Sequence, residues 1–599
     1  MDGTGAADAG RPPFWQRWSL RAYALLYRPA TAALVAGLIA VAFLLFLPKG
    51  EDAPAHLYQT QVWREHGWRF WDNNWYAGRY SQINYSLLYY PLAALLTTMV
   101  VVVASIATTA GVFATILTRQ WGPAARPAVA VATLLAPIPV LTGTYPFIMG
   151  LALGLCALLA LQSERWWLTV VFGALVALGH LLALLLLICT LLGLAMMDPR
   201  AVIRPGPRRR VAIAYAVILA ATLIPWRAFS TPGAEYPFAL FDLAIMIAYC
   251  LIGVALTGNR EDLRPLRGIF VVYGALGLAA FAVSSPLGAN AGRLLQYLGA
   301  PLLLIPLALR GFRPHAVAAV LVAGALTWQV WPAAKGLQQS TSVRSSNEEF
   351  WFPVEAFLNE HADPNHRVSI VATDHHWEAF YLARQGVPLT RGWYRQDDFP
   401  ANADLYGELT AERYRIWLHR MAVKYVFLPQ DSLDYSAAQE AKLLESGDVL
   451  PQIAELGSWR VFEVPDATPI ATPANAITVR TIDGERLTVD TTKAGRYRLR
   501  VRYTPYWRVV QGDACVMPTS SWTTELRVTK PGLVTLQFQV GLSRVVSTVL
   551  GRPARCPEDE FVGPLPGAPA TTGSSATEDP PSAPTVVPRG SSRTMGGSR

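Results

Sequence analysis

Between residues 30 and 333 the chain is a succession of apolar runs joined by short basic or polar links. A helix needs roughly 20 apolar residues to cross about 30 Å of hydrocarbon. Such runs fall at about 30–48, 86–117, 127–141, 146–162, 166–197, 210–227, 238–256, 268–284, 294–309 and 316–333. The run at 166–197 is long enough for one tilted helix. Its flanking charges favour instead a hairpin turning at Gly179-His180, with arms of only about 21 Å at 1.5 Å rise per residue. With the hairpin, about eleven spans are expected, in a transmembrane domain of residues 30–334. No small-residue cleavage site follows the first run, so it reads as a retained span rather than a cleaved signal.

Composition agrees. The chain is 52% hydrophobic and 16% charged, where soluble domains carry about a quarter charged residues. The net charge of +9 comes from arginines that mostly flank the spans, which marks topology rather than nucleic-acid binding. Segments 1–29, 118–126, 163–166, 198–210, 257–267 and 310–315 hold 17 arginines and no lysine, against 6 lysines and arginines in 49–85, 142–146, 179–180, 227–237 and 285–293. The positive-inside rule puts the first set in the cytoplasm. The expected protein sits in the inner (plasma) membrane, with segment 1–29 inside and loop 49–85 and everything beyond 334 outside.

The outer region reads as two units. Residues 335–470 alternate helices (347–361, 375–385, 410–422) with strands (368–372, 423–428), an α/β pattern. From 471 to 562, short alternating segments such as Arg496–Tyr503 and Leu533–Val540 predict a β-sandwich. Cys515 and Cys556 lie there, with no other cysteine in the outer region, and a disulfide is expected outside the membrane; two buried free thiols are the alternative. Residues 563–599 are rich in Pro, Ser, Thr and Gly and read as a disordered tail.

The chemistry-bearing stretch is Pro48–His56, where the first span surfaces. It presents Glu51, Asp52 and His56, then an aromatic loop with Trp63, Trp68, Trp71, Trp75, Tyr76, Arg79 and Tyr80. A positioned carboxylate can deprotonate a hydroxyl nucleophile. Equally, an acidic pair can solvate or cap a helix beginning near Ala53. Arg293 opens a span on the outer side, where it can pair with a lipid phosphate or snorkel to the interface; Arg79 has the same two readings. His180 at the hairpin turn can face the same cavity or be hydrogen-bonded locally, and Glu235 can line it or solvate its loop. His375-His376 beside Asp374 lack a third ligand, and adjacent helical residues point apart, so a metal is not expected there. No phosphate-binding glycine loop or hydrolase elbow stands out.

The Gly50-x-Asp52-x-x-x-His56 stretch and the Trp75-Tyr76-Ala77-Gly78-Arg79-Tyr80 loop resemble the GT-C superfamily of polytopic membrane glycosyltransferases. Tyr503-Thr504-Pro505-Tyr506-Trp507 with Gly512 resembles the outer β-domain of bacterial members of that group. The resemblance implies sugar transfer from a polyprenyl-phosphate donor to a glycan or lipid acceptor of the envelope. It places the acidic position on Asp52, with Glu51 as partner or ligand of a divalent metal. Arg293, Arg79, His56, His180, Trp75 and Tyr76 are the candidates for binding substrate or lipid phosphate. A lipid or glycan flippase and a non-catalytic glycan-binding scaffold are the competing classes.

Overall fold

The computed structural model describes residues 27–231, 233–311, 314–361, 363–552 and 556. Most of the basic N-terminal segment, Arg313 and the expected tail lie outside them. The membrane half is helical. Its main helices are α1 (Pro29–Phe46), α2 (Ala53–His66), α3 (Tyr89–Leu96), α4 (Thr98–Trp121), α5 (Arg126–Leu135), α6 (Tyr145–Gln162), α7 (Trp166–Gly179) and α8 (Leu181–Met197). They continue as α9 (Pro207–Phe229), α10 (Leu240–Thr257), α11 (Arg264–Ala282), α12 (Arg293–Arg310) and α13 (His315–Ser342).

Among the described residues, eight stretches are long and apolar enough to cross a membrane, not eleven. The 166–197 run is a hairpin of two helices broken at His180, whose arms of 14 and 17 residues fall short. The third difference is α5, which counts with α4 in one 45-residue stretch although the chain turns between them at Gly122, φ +54°. Residues 86–117, read as one run, are split at Thr97, φ +80°. Helices without a hydrophobic drive between them associate through small residues. A Cβ on Gly193 of α8 would stand 2.7 Å from the Gly268 main chain of α11, so both sites require glycine.

The links gather at two ends. At one, Asp52 N–H donates to Thr142 O (3.0 Å), Leu88 N–H to Leu178 O (3.0 Å) and Tyr236 N–H to Ser285 O (3.0 Å). At the other, Arg119 donates to Ser163 Oγ (2.8 Å), Trp121 to Asp262 O (3.0 Å) and Arg260 to Leu309 O (3.0 Å).

Beyond α13 lies an α/β unit. Strands β3 (Arg367–Ile370), β4 (Val423–Pro429), β6 (Trp459–Glu463) and β5 (Gln452–Glu455) form one sheet in that order, with β3 and β4 parallel. A short antiparallel ribbon, β1 (Trp71–Asp72) and β2 (Arg79–Tyr80), lies within the loop 49–85. Helices α14 (Phe352–His361) and α15 (Ala411–Arg420) pack beside the four-stranded sheet. The expected helix 375–385 is three short turns instead, because His375 and His376 take φ of +66° and +54°. A sandwich follows, with one sheet of β12 (Ala514–Pro518), β13 (Thr523–Val528), β10 (Gly495–Arg502) and β7 (Ala471–Thr472) in that order and a second of β11 (Trp507–Gln511), β14 (Gly532–Phe538), β9 (Arg486–Thr491) and β8 (Ile477–Ile482), all antiparallel. In β10 (Gly495–Arg502), Tyr497, Leu499 and Val501 point inward and the arginines between them outward, the period of two that a half-buried strand requires. A last helix, α16 (Leu542–Val549), follows β14 (Gly532–Phe538).

Candidate functional site

The site is built where α1 ends. Gly50 and Gly143 bring two loops into backbone contact. Gly143 has φ +75°, and a Cβ there would sit 2.6 Å from Ala53 N. Asp52 N–H bonds Thr142 O on that same loop. Asp52 occupies the N-cap position of α2 but makes no capping hydrogen bond. Its side chain is free to turn inward, where the residue is buried.

Oδ2 of Asp52 stands 3.9 Å from Nη2 of Arg293, which is an ionic contact too long for a hydrogen bond. Burial raises the Asp52 carboxyl to about 7, Arg293 opposes the rise and neighbouring Glu51 adds to it. Glu51 is exposed, and its carbonyl accepts from Trp393 Nε1 at 3.0 Å.

Arg293 begins α12. Its guanidinium donates to Tyr297 OH (3.3 Å) and Asn290 Oδ1 (3.4 Å). Tyr297 OH in turn meets Thr144 and Thr142 hydroxyls at 2.7 and 3.1 Å. One loop, 142–144, therefore positions both the carboxylate and the arginine's support. A guanidinium has five donors, and the described residues engage two by hydrogen bonds, leaving capacity for an anion.

His56 lies one turn beyond Asp52 on the same face of α2. Its Nδ1 is 3.3 Å from Tyr90 OH, while Nε2 is buried without a hydrogen-bond partner among the described residues. Burial, with His180 and Arg293 nearby, pushes the imidazole well below its usual range, so it is neutral. Tyr85, Tyr145 and Trp393 surround the ring. Tyr85 contacts both histidines, its centroid 5.1 Å from His56 and 5.2 Å edge-on to His180. His180 Nδ1 is likewise buried and unpartnered among the described residues. The structure thus brings Asp52, His56, His180 and Arg293 to one lip between the bundle and the α/β unit.

The other sequence candidates lie behind that lip. Arg79 Nε donates to Asp397 Oδ2 at 2.9 Å, both buried, and its guanidinium lies 4.2 Å from the Tyr394 ring. Trp75 Nε1 donates to Ala379 O (3.1 Å) and Tyr76 OH to Tyr394 O (3.1 Å). Both rings are buried against protein. The three hold Tyr394, which packs 5.1 Å from Tyr85. Glu235 is exposed, its N–H bonded to Gln396 O. Tyr85, Trp393, Tyr394 and Tyr297 were missed by sequence reasoning. Tyr85 carried a signal, the Tyr-rich run Tyr85–Tyr90 just before a span; the others carried none.

The two adjacent histidines sit on turns rather than a helix. His376 Nδ1 is 3.0 Å from Glu378 Oε1 and its Nε2 3.7 Å from Asp434. No group of three or more His, Cys, Asp or Glu side chains among the described residues is arranged to hold a metal ion.

No family model matches the chain, and no curated protein matches it by sequence. Solved structures do. The chain is similar to the arabinofuranosyltransferase AftD from Mycobacteria, at 15% identity and TM-score 0.43, over 78% of this chain and 41% of that one. It is similar to ArnT from Cupriavidus metallidurans in the apo state, at 13% identity and TM-score 0.43, over 74% of this chain and 98% of that one. A third is the Archaeoglobus fulgidus oligosaccharyltransferase, at 12% identity and TM-score 0.33, over 67% and 70%. The chain spans less than half the length of the first.

Proposed function

We propose that the protein is a GT-C-type glycosyltransferase acting at the outer face of the membrane. It moves a sugar from a polyprenyl-phosphate donor to a glycan or lipid acceptor of the envelope. The observation that carries this reading is the buried Asp52 carboxylate beside Arg293 at the membrane lip, with neutral His56 and an aromatic wall around it. Asp52 accepts the proton of the acceptor hydroxyl as its oxygen bonds to the sugar's anomeric carbon. The bond from that carbon to the donor phosphate breaks, and its electron pair leaves on the phosphate oxygen. Arg293 stabilises that charge through a guanidinium fork. Unpartnered ring nitrogens of His56 and His180 are placed to bond sugar hydroxyls or phosphate, and Tyr85 and Trp393 offer faces on which a sugar can stack.

The test is an assay of purified protein with a polyprenyl-phosphate sugar, wild type against Asp52→Asn. General-base catalysis contributes about 10²–10⁴-fold, and the variant is expected to lose at least the low end while melting at an undiminished temperature. Wild-type transfer speed in a folded Asp52→Asn protein moves the base elsewhere. If the wild type consumes no lipid-linked sugar, the flippase and scaffold readings take its place.

A further inference from the structure

We infer that α16 is a membrane-surface anchor, which holds the β-sandwich against the outer leaflet by inserting one row of side chains into lipid. Helix α16 and its C-cap Leu550 carry their apolar residues on a single side: Leu542, Val545, Val546, Val549 and Leu550. The side divides in two. Val545 and Val549 pack against the sandwich core. Leu542, Val546 and Leu550, spaced four apart and therefore in line on one face, are 80%, 49% and 60% exposed. A row of this kind is unfavourable in water, which burial against an apolar medium relieves.

What covers the row follows from where the helix sits. Helix α16 packs against α9, one of the stretches long and apolar enough to span. It lies at that helix's outer end, because the core it joins contains Ala228 and Phe229, and Phe229 stacks on Tyr506 at 4.9 Å. Tyr506 OH also donates to Ala228 O at 3.2 Å. At the same end, α9 exposes Leu223, Ile224 and Trp226, with Arg227 exposed beside them. Trp and Arg at a span's end mark the headgroup level. The exposed row on α16 thus continues an apolar surface that already faces lipid, at the depth where amphipathic helices lie in the interface plane. The Cys515–Cys556 disulfide closes the segment back onto β12 (Ala514–Pro518), so the anchor is covalently tied to the sandwich it holds. The partner this fits is a phospholipid surface, the arginines Arg227 and Arg552 meeting its phosphates.

The experiment uses the full chain in phosphatidylethanolamine/phosphatidylglycerol nanodiscs. Cys156, Cys189 and Cys250 are replaced by alanine, and a nitroxide is placed by Val546→Cys or, as an aqueous reference, by Lys530→Cys, a site 79% exposed on the sandwich. The label at 546 is expected to collide several-fold more with oxygen, relative to a water-soluble nickel chelate, than the label at 530. Equal ratios at the two sites overturn the proposal. So does a 546 label shielded from both reagents whose dipolar broadening vanishes on spin dilution, because that signals a second copy of the chain. Should the cysteine-replaced protein not fold, carbene photolabelling of the wild type from a lipid-borne diazirine decides the question. Label on the 542–550 peptide supports insertion, and its absence while α9 peptides are labelled refutes it.

Discussion

Asp52 shows how a single side chain's environment sets its chemistry. Its carboxyl sits near 7 because burial penalises the charge more than Arg293 relieves it. A base works ionised, so kcat/KM is expected to rise with pH and level off above about 7, with that acidic limb absent from whatever rate Asp52→Asn retains. The same shift has a stability sign. A carboxyl raised in the folded state binds its proton more tightly there than in the unfolded chain, so the contribution is fully present at low pH and lost as pH rises through about 7. Wild type should therefore lose melting temperature between about pH 4 and 7 relative to Asp52→Asn, with the difference levelling off above that. Arg293 offers a linked test. A hydrogen bond to a charged group is worth about 1.5–3 kcal/mol, so Arg293→Ala is expected to weaken donor binding roughly 10- to 100-fold. Removing the cation also takes away what holds the Asp52 carboxyl down, so the acidic limb moves to higher pH. Arg293→Lys keeps the charge without the fork and should restore the limb more than the affinity. Unchanged donor affinity in Arg293→Ala rejects the phosphate assignment. Asp52 was legible in the sequence because it emerges where a span ends. Trp393 and Tyr394 were not, since they reach the site from more than 300 residues away, through folding no local pattern encodes.

At the scale of elements, the strands and most long helices followed from periodicity, while breaks in the backbone did not. Helices α10 and α12 and the strands β10 and β14 lie where hydrophobic patterning predicts them. The 375–385 segment reads as a helix within the α/β alternation, yet two positive-φ histidines dissolve it into turns. That conformation is uncommon for side chains with a Cβ and persists only where the surroundings over-determine it. Here the Glu378 and Asp434 carboxylates and the Ser340 hydroxyl around the two rings are part of those surroundings. The disulfide was legible by elimination, as the pair of cysteines in the outer region, and the structure joins them with a separation of 41 residues. In the chain-entropy account a loop of that size contributes at most about 4 kcal/mol. A Cys515→Ser/Cys556→Ser protein is expected to melt several degrees lower in its outer region, with the wild type falling to match under strong reductant. Two alkylatable thiols at these positions in the native, unreduced protein would exclude the bond.

For the whole molecule the question is which end of the bundle faces outward. Two independent features sort these links the same way. Counts of lysine plus arginine separate them 17 to 6, and contacts gather eight of the segments into the same two sets: loops at 118–126, 163–166 and 257–267 meet one another, while 49–85, 142–146, 179–180, 227–237 and 285–293 meet at the opposite end. The α/β unit and sandwich join the second set, through Asn74 O to Leu389 N (2.8 Å) and Ala77 O to Arg502 N (2.7 Å). Contacts show which of these links share a side, and the charge bias is the ground for proposing which side is cytoplasmic, because translocating arginines against the membrane potential is unfavourable. On both grounds we propose that the Asp52–Arg293 lip and the described residues after α13 lie outside. Alkaline phosphatase fused after Gly336 should be active, as it is only when exported, and a green fluorescent protein fused there should be dark if exported unfolded; fusions in 198–210 should give the reverse. A cytoplasmic readout after Gly336 would turn the lip inward, put the cysteine pair in a reducing compartment where disulfides are rare, and remove the outer-face donor from the proposed reaction. The orientation therefore bears on the chemistry and the disulfide at once, and the same fusions test both.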